Sequence, residues 1–185
     1  EHRMDWQREA RTGTAEAVFC SGKTDTHRRA ILDEARWGDH RLLMTRLTLE
    51  QHARLGSAAP EDYDPLSQTA ILGEIVDRTP GVGIVAAGTS DLPVVTDAAR
   101  TLEFHGYEAS KLTDVGVAGL RRLTGQLEAL TAHRVLIAVA GMEGALLSVL
   151  AGLISSPIIA VPAPQGYGVA AEGRVALDSA LGSCA

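Results

Sequence analysis

The sequence predicts an α/β fold with a doubly wound parallel sheet, preceded by a small N-terminal α+β appendage. Two observations predict it. In the second half of the chain, short apolar runs of strand length alternate with helix-patterned stretches of about ten residues. The composition also changes near Pro80: the first 80 residues hold 25 of the 40 charged residues, whereas the rest holds 14 of the 19 glycines. We therefore predict an N-terminal accessory region over residues 1–79 and an α/β domain over residues 80–185.

Three segments of the N-terminal region carry local signals. Thr24 is a suitable N-cap for a helix that runs to about Ala35, because its hydroxyl can accept from a free backbone N–H of the first turn. The run 41–47 is apolar enough for a short strand. The stretch 57–65 is rich in proline and acidic residues, which predicts an exposed linker or turn region.

The second half alternates between strands and helices. Its apolar runs are punctuated by glycine and proline, and the stretches between them carry helix-like patterns. The predicted strands are 82–87, 108–112, 135–139 and 158–161; the predicted helices run to about Phe104, to about Leu130, over 145–154 and over 169–181. Continuous apolar strands of this kind indicate a parallel sheet that is covered on both faces.

Composition restricts the kinds of partner. The 185 residues are 45% hydrophobic and 22% charged, and the net charge of −6 disfavours a nucleic-acid partner. No apolar run reaches the roughly 18 residues of a membrane span and no basic-then-apolar leader opens the chain, so we expect no membrane partner and a cytoplasmic location. Cys20 and Cys184 make no metal-binding spacing and are expected to be free thiols.

Three glycine-rich turns fall at predicted strand ends, at 88–91, 141–144 and 165–168. In a doubly wound sheet the ligand crevice lies outside the carboxyl ends of the strands. These turns therefore predict where a ligand binds.

The first turn has two interpretations. Gly88 lets the backbone approach a ligand, Thr89 and Ser90 add hydroxyl donors, and the next helix presents free N–H groups, which together favour a phosphate cradle. Asp91 could cap the helix or accept from a ribose hydroxyl. The alternative is a capped helix entrance without a ligand; the two neighbouring glycine-rich turns favour the nucleotide site. Neither GxGxxG nor a P-loop is present.

Longer motifs resemble a known family. The runs 83–93, 114–119, 139–145 and 166–168, together with Gly182-Ser-Cys-Ala185, are similar to the catalytic domain of the LarB family. Residues 8–13, Glu16, 22–24 and 44–46 resemble its N-terminal region, although Ala15 and Leu147 stand where the family commonly has proline. The resemblance implies a three-layer, flavodoxin-like domain similar to aminoimidazole ribonucleotide carboxylase.

The resemblance also implies a reaction of nickel-pincer cofactor synthesis. The nicotinate ring of nicotinic acid adenine dinucleotide is carboxylated at C5 and the phosphoanhydride is hydrolysed, which gives pyridinium-3,5-biscarboxylic acid mononucleotide and AMP. Carbon dioxide or bicarbonate is the co-substrate, and no organic cofactor is expected. Because a pyridinium ring is electron-poor, a thiolate must first add at C4 to make C5 nucleophilic.

Cys184 is the candidate nucleophile on the strength of the motif. It follows the predicted last helix beside small residues that leave it accessible, and the cationic ring would favour its thiolate. Without the motif, an inert buried cysteine is the better interpretation.

Glu143 is the candidate base that removes the C5 proton. It lies between two glycines at a strand end, where we expect partial burial to raise its pKa. The alternative is a first-turn glutamate that the helix dipole favours.

The remaining candidates are weaker. Asp114 could hold a ribose hydroxyl or a metal, or simply cap a loop; Tyr167 could stack on a ring or anchor its loop. Four basic residues could bind the diphosphate and adenylate, although each is better interpreted as a solvated charge. Mg²⁺ would assist diphosphate hydrolysis, but its ligands are unknown. The nucleotide-binding residues are predicted to be Gly88, Thr89, Ser90, Asp91, Asp114, Gly116, Val117, Gly141, Met142, Gly144 and Tyr167, and the four basic residues are Arg8, Arg11, Lys23 and Arg46.

Two rival functions stay open. One is an aminoimidazole ribonucleotide carboxylase or mutase; those enzymes use a histidine after the second strand, where this chain has Asp114-Val-Gly-Val. The other is a non-catalytic nucleotide-binding homologue. By analogy with the related carboxylases we expect a homo-oligomer, a tetramer or an octamer.

Overall fold

The computed structural model describes residues 2–75 and 77–185. They form two compact units. The first comprises Glu1–Arg78 together with Arg100–Gly106, and the second comprises Thr79–Ala99 together with Tyr107–Ala185.

The first unit is a small mixed sheet with helices, which confirms the predicted α+β appendage. Strand β1 pairs parallel with β2, which pairs antiparallel with β4, and β3 pairs antiparallel with β4. The strands are β1 (Ala17–Phe19), β2 (Leu42–Thr45), β3 (Asp62–Asp64) and β4 (Thr69–Leu72), and the helices are α1 (Arg8–Thr12), α2 (Asp25–Trp37) and α3 (Leu49–Leu55).

Helix α2 begins as the sequence predicts. The Thr24 hydroxyl accepts from the N–H of His27 at 3.2 Å, which caps the first turn. The apolar face of α2, with Ile31, Leu32 and Ala35, is buried in the core of this unit. The strand predicted over 41–47 is β2.

The prediction of an exposed linker over 57–65 was wrong in its second half, which contains β3. The ladder with β4 forms because Tyr63 has partners on its own unit: its hydroxyl donates to the carbonyl of Leu47 at 2.9 Å, and its ring stacks on His52. Tyr63, between two aspartates, thus anchors a strand that the acidic, proline-containing composition of this stretch did not predict.

The second unit is the predicted parallel α/β domain. Its four strands are parallel, in the order β6-β5-β7-β8. The strands are β5 (Thr79–Ala86), β6 (Tyr107–Leu112), β7 (Val135–Ala140) and β8 (Ile158–Pro162), and the helices are α4 (Leu92–Phe104), α5 (Leu120–Thr124), α6 (Leu127–Thr131), α7 (Ala145–Ala151) and α8 (Arg174–Leu181). The last residues of α4, from Arg100, belong to the first unit.

Two predicted helices differ from those observed. The helix expected to reach Leu130 is interrupted at Gly125, so that α5 and α6 are separate. The last helix begins at Arg174 instead of 169, because the backbone of Glu172 has a φ of 61° and breaks the preceding 3₁₀ turn. Neither change affects the order of the strands.

The register of the sheet brings the strand ends together. Ala86 of β5 lies opposite Val139 of β7, and Ala140 of β7 lies opposite Pro162 of β8. Below this edge, alternate residues of β7 such as Leu136 and Ala138 join a buried cluster with Leu146 and other residues of α7. In the described residues, no helix is both long and apolar enough to cross a membrane.

Candidate active site

A cavity of about 340 Å³ lies at the carboxyl edge of the second unit's sheet. Loops that follow four strands contribute to its wall, as expected for a doubly wound sheet. Of the predicted nucleotide-binding and catalytic residues, the wall includes Gly88, Ser90, Asp91, Gly116, Val117, Gly141, Met142 and Glu143.

The turn after β5 is organised by Asp91. The N–H of Gly88 donates to its carboxylate at 3.1 Å, and the N–H of Asp91 donates back to the Gly88 carbonyl at 3.2 Å. Burial raises the pKa of the Asp91 carboxyl, and the hydrogen bond from Gly88 only partly opposes this. Ser90 faces the cavity, whereas Thr89 is exposed and lies outside the lining.

The turn at 141–144 is locked to the loop after β8. The N–H of Met142 donates to the carbonyl of Gln165 at 3.0 Å, and a Cβ on Gly141 would lie 2.0 Å from that same oxygen. Only glycine fits there. Met142 itself has a φ of 55°, a strained value for a side-chain-bearing residue at the cavity wall.

Glu143 lines the cavity, but its side chain is exposed. The expectation of partial burial was therefore wrong, because the left-handed backbone of Met142 and Gly144 turns residue 143 outward to the rim. The next residue, Gly144, is buried beneath this turn, where it packs against Ala176 of α8.

Asp114 and Tyr167 lie outside the cavity wall, as Thr89 and Gly144 do. Asp114 has a φ of 61° and pairs with Arg122, with 2.6 Å between the carboxylate and guanidinium, so its contact is an ion pair beside the loop of Gly116. Tyr167 is 78% exposed.

Sequence reasoning missed Gln165, which lines the cavity. The signal was present, because Gln165 opens the glycine-rich loop 165–168, yet no pattern distinguished its side chain from a surface glutamine.

Cys184 lies outside the cavity wall. It is exposed, as expected, in a separate shallow depression formed with Ser148, Ser179 and their neighbours. Ala176 near the start of α8 contacts Gly144 beside the cavity, and Cys184 follows eight residues later. Cys184 lies three residues beyond the end of α8 at Leu181, and its depression shares no lining residue with the strand-end cavity. Its catalytic role stays a prediction.

The four basic candidates belong to the first unit. Arg8 and Arg46 are exposed, and Arg11 forms an ion pair with Asp5. Lys23 is half-buried and lines a cavity of about 450 Å³ within that unit. Their role in binding a diphosphate is an untested prediction.

Charge distinguishes the strand-end cavity. Its wall, which lies wholly in the described part of the chain, carries the carboxyl groups of Asp91 and Glu143 and no arginine, lysine or histidine. Within residues 2–75 and 77–185, no three histidine, cysteine, aspartate or glutamate side chains are grouped to hold a metal ion. Such a wall suits a neutral or cationic group of a ligand.

The parallel α/β fold, with its cavity at the strand ends, agrees with the comparison with known families. Residues 81–184 match the family described as AIR carboxylase, where AIR is aminoimidazole ribonucleotide, and the chain belongs to that family. Residues 2–74 match the LarB/PurE-like N-terminal domain, and the two matches together are those of a LarB-like protein.

One curated relative is an uncharacterized protein of Methanocaldococcus jannaschii. It is 49% identical over 90 residues, which is 48% of this chain and 35% of the relative. The match thus spans about a third of the relative's length.

Proposed function

We propose that this protein carboxylates the nicotinate ring of nicotinic acid adenine dinucleotide at C5 and hydrolyses the phosphoanhydride, releasing pyridinium-3,5-biscarboxylic acid mononucleotide and AMP. Membership of the carboxylase family supports the reaction type. The observation that carries the choice of substrate is the cavity wall, with two carboxyl groups and no basic side chain. A pyridinium ring is cationic, so these carboxyl groups would attract it.

The proposed chemistry needs a nucleophile and a base. The thiolate of Cys184 adds to C4, and the electron pair of the broken ring double bond moves onto the ring nitrogen. The resulting enamine attacks carbon dioxide through C5, a carboxylate takes the C5 proton, and loss of the thiolate from C4 restores the pyridinium. Glu143 is the proposed base, because an exposed carboxylate on the cavity rim can pass the proton to water.

Cys184 lies outside the cavity wall of its own chain, in a separate depression. We therefore include a homo-oligomer in the proposal, a tetramer or an octamer, in which Cys184 of one copy enters the cavity of another. Mg²⁺ would assist hydrolysis of the diphosphate, but we assign it no ligand and no step.

The experiment is incubation of the protein with nicotinic acid adenine dinucleotide and ¹³C-bicarbonate, followed by mass spectrometry. We expect a mononucleotide that carries one labelled carboxylate, together with AMP. AMP without labelled carboxylate would contradict carboxylation, and the absence of both products would contradict the whole proposal.

Two observations favour a second function, carboxylation of aminoimidazole ribonucleotide. The match over residues 81–184 is to that family, and the cavity wall contains no thiol. An aminoimidazole is already electron-rich and needs no nucleophile. Turnover of this ribonucleotide, but not of the dinucleotide, would favour it, whereas binding of either one without product would indicate a non-catalytic homologue.

A further inference from the structure

Gln165, a residue of the cavity wall, has one side-chain atom that the fold leaves without a partner. The side-chain oxygen Oε1 of Gln165 is enclosed and accepts no hydrogen bond from any described residue. An enclosed carbonyl oxygen without a donor costs free energy. Native proteins rarely keep such a group unless it has a role.

The main chain of Gln165 is fixed even though its amide is unpaired. Its carbonyl accepts from the N–H of Met142 at 3.0 Å, and the missing Cβ of Gly141 lets the two loops touch. The side chain therefore extends from a rigid point, as a group that recognises a ligand should.

The neighbouring polar groups leave a distinct role for this amide. Asp91 already accepts from the N–H of Gly88, and Glu143 is a carboxylate on the rim. Gln165 contributes an amide that can accept at one end and donate at the other.

We propose that the side-chain amide of Gln165 turns into the cavity when a nucleotide binds and recognises the cis-diol of the ribose, with one hydroxyl donating to Oε1 and the other accepting from the amide N–H. The pyridinium ring with its carboxylate has no N–H or O–H to donate, and neither has an ionised phosphate. Of the groups on the pyridinium half of the proposed substrate, only the ribose hydroxyls can satisfy Oε1. The assignment to that ribose rests on the proposed function, whereas the diol itself is common to both candidate nucleotides.

The test is a thermodynamic cycle that combines a change in the protein, Gln165→Leu, with a change in the ligand, removal of the ribose 2′-hydroxyl. Binding affinities of the four combinations are measured by calorimetric titration without bicarbonate. We expect the variant to bind nicotinic acid mononucleotide roughly tenfold more weakly than wild type does. For the 2′-deoxy counterpart the two proteins should differ by a clearly smaller factor, because one of the two hydrogen bonds to Gln165 is already absent. Equal weakening for both ligands would overturn the proposal.

Thermal unfolding of the free protein supplies a second readout. Leucine fills similar space without an unpaired oxygen, so the variant should unfold at the same or a higher temperature. A lower midpoint with equally weakened binding of both ligands would indicate a merely structural residue. Gln126→Leu, an exposed glutamine at the start of α6, is the matched control and should change neither affinity.

A further ligand pair separates this proposal from the identity of the substrate. If the mononucleotide fails to bind wild type, the proposed function loses support, and the cycle is repeated with ribose 5-phosphate and 2-deoxyribose 5-phosphate. A preference for ribose 5-phosphate that Gln165→Leu abolishes would still support recognition of the diol. Equal binding of the two sugars, or binding of neither, would overturn it.

Discussion

Asp91 and Glu143 both line the cavity, but their surroundings differ. Asp91 is 3% exposed and accepts a backbone hydrogen bond, whereas Glu143 stands in solvent on the rim. Burial disfavours the charged form of a carboxyl group. Burial accordingly raises the pKa of Asp91, whereas the Glu143 carboxylate has solvent beside it to which a proton can pass.

The raised pKa of Asp91 predicts a pH dependence of stability. Burial raises the folded-state value above the ordinary 3.8, so the folded state keeps a proton that the unfolded chain has lost. Stability contributed by this group consequently falls as pH rises through that window. Measured by denaturant unfolding, Asp91→Asn should become more stable relative to wild type as pH rises from about 3.8 and then level off.

Asp64 provides the control of opposite sign. Burial would raise its pKa, but hydrogen bonds from the Ser67 N–H and hydroxyl, at 2.7 and 2.8 Å, together with the charge of Arg100 and the N–H of Leu66, outweigh burial and lower the pKa. The stability it contributes is present above its ordinary pKa and is lost as pH falls. The free energy of unfolding of Asp64→Asn should therefore fall furthest below that of wild type at neutral pH. If stability differences from wild type change with pH in the same direction for Asp64→Asn and Asp91→Asn, both pKa assignments are contradicted.

Cys20 should be unreactive in the folded protein. Burial raises the pKa of its thiol to about 11, against the opposing charges of Arg28 and Lys23. At pH 8 the reactive thiolate is therefore scarce as well as enclosed. In Cys184→Ser, which removes the exposed thiol, iodoacetamide should label no cysteine until the chain is unfolded; rapid labelling of the native variant would contradict the burial of Cys20.

The turns at the strand ends are the elements that shape the site. Gly141 is the point of closest approach between two of them. We predict that Gly141→Ala, whose methyl group would meet the Gln165 carbonyl, destabilises the fold by roughly 1–3 kcal/mol in denaturant unfolding.

Gly152 at the end of α7 is the matched control. Its φ is −79° and an added Cβ would meet the Val149 carbonyl at 3.6 Å, an ordinary contact. Gly152→Ala should be neutral or stabilising by up to about 1 kcal/mol. Equal effects at the two glycines would show that the turn tolerates movement.

The helices and strands could be predicted from the sequence where the hydrophobic pattern extended over enough residues. Three apolar runs became the parallel strands β5, β7 and β8, because strands of a covered sheet need no alternation. The strand β6 is polar and mostly exposed at the edge of the sheet, and its position between two helices indicated it. The short elements could not be predicted: β1 and β3 have three residues each, too few for a period to appear. The exposure of Glu143 depends on left-handed backbone at Met142, and composition does not indicate which non-glycine residue will adopt it.

At the scale of the whole molecule, the separation between Cys184 and the cavity predicts complementation between variants. Glu143→Gln and Cys184→Ser should each abolish carboxylation. If the thiol acts in another copy, hybrids of the two variants contain sites with both groups, and a random mixture of dimers should recover about one quarter of wild-type turnover. Because both residues are exposed, both variants should fold.

Turnover by wild type with none in the purified hybrids would show that Cys184 acts within its own chain or not at all. A disulfide test does not depend on turnover: oxidation of Glu143→Cys should link two chains, and Glu143→Cys combined with Cys184→Ser should stay monomeric on a denaturing gel. A disulfide within one chain would contradict the proposal that Cys184 of one copy enters the cavity of another.

Phe104 ends α4 in the second half of the sequence, yet its ring is fully buried with Leu43 and Ile71 of the first unit. A truncated chain that begins at Pro80 would lack Leu43 and Ile71 and would therefore expose the phenyl ring of Phe104. We expect this truncated chain to aggregate during purification. Phe104→Ser should reduce aggregation of the truncated chain, measured by light scattering. The same substitution should lower the thermal stability of the full-length chain, measured by calorimetry.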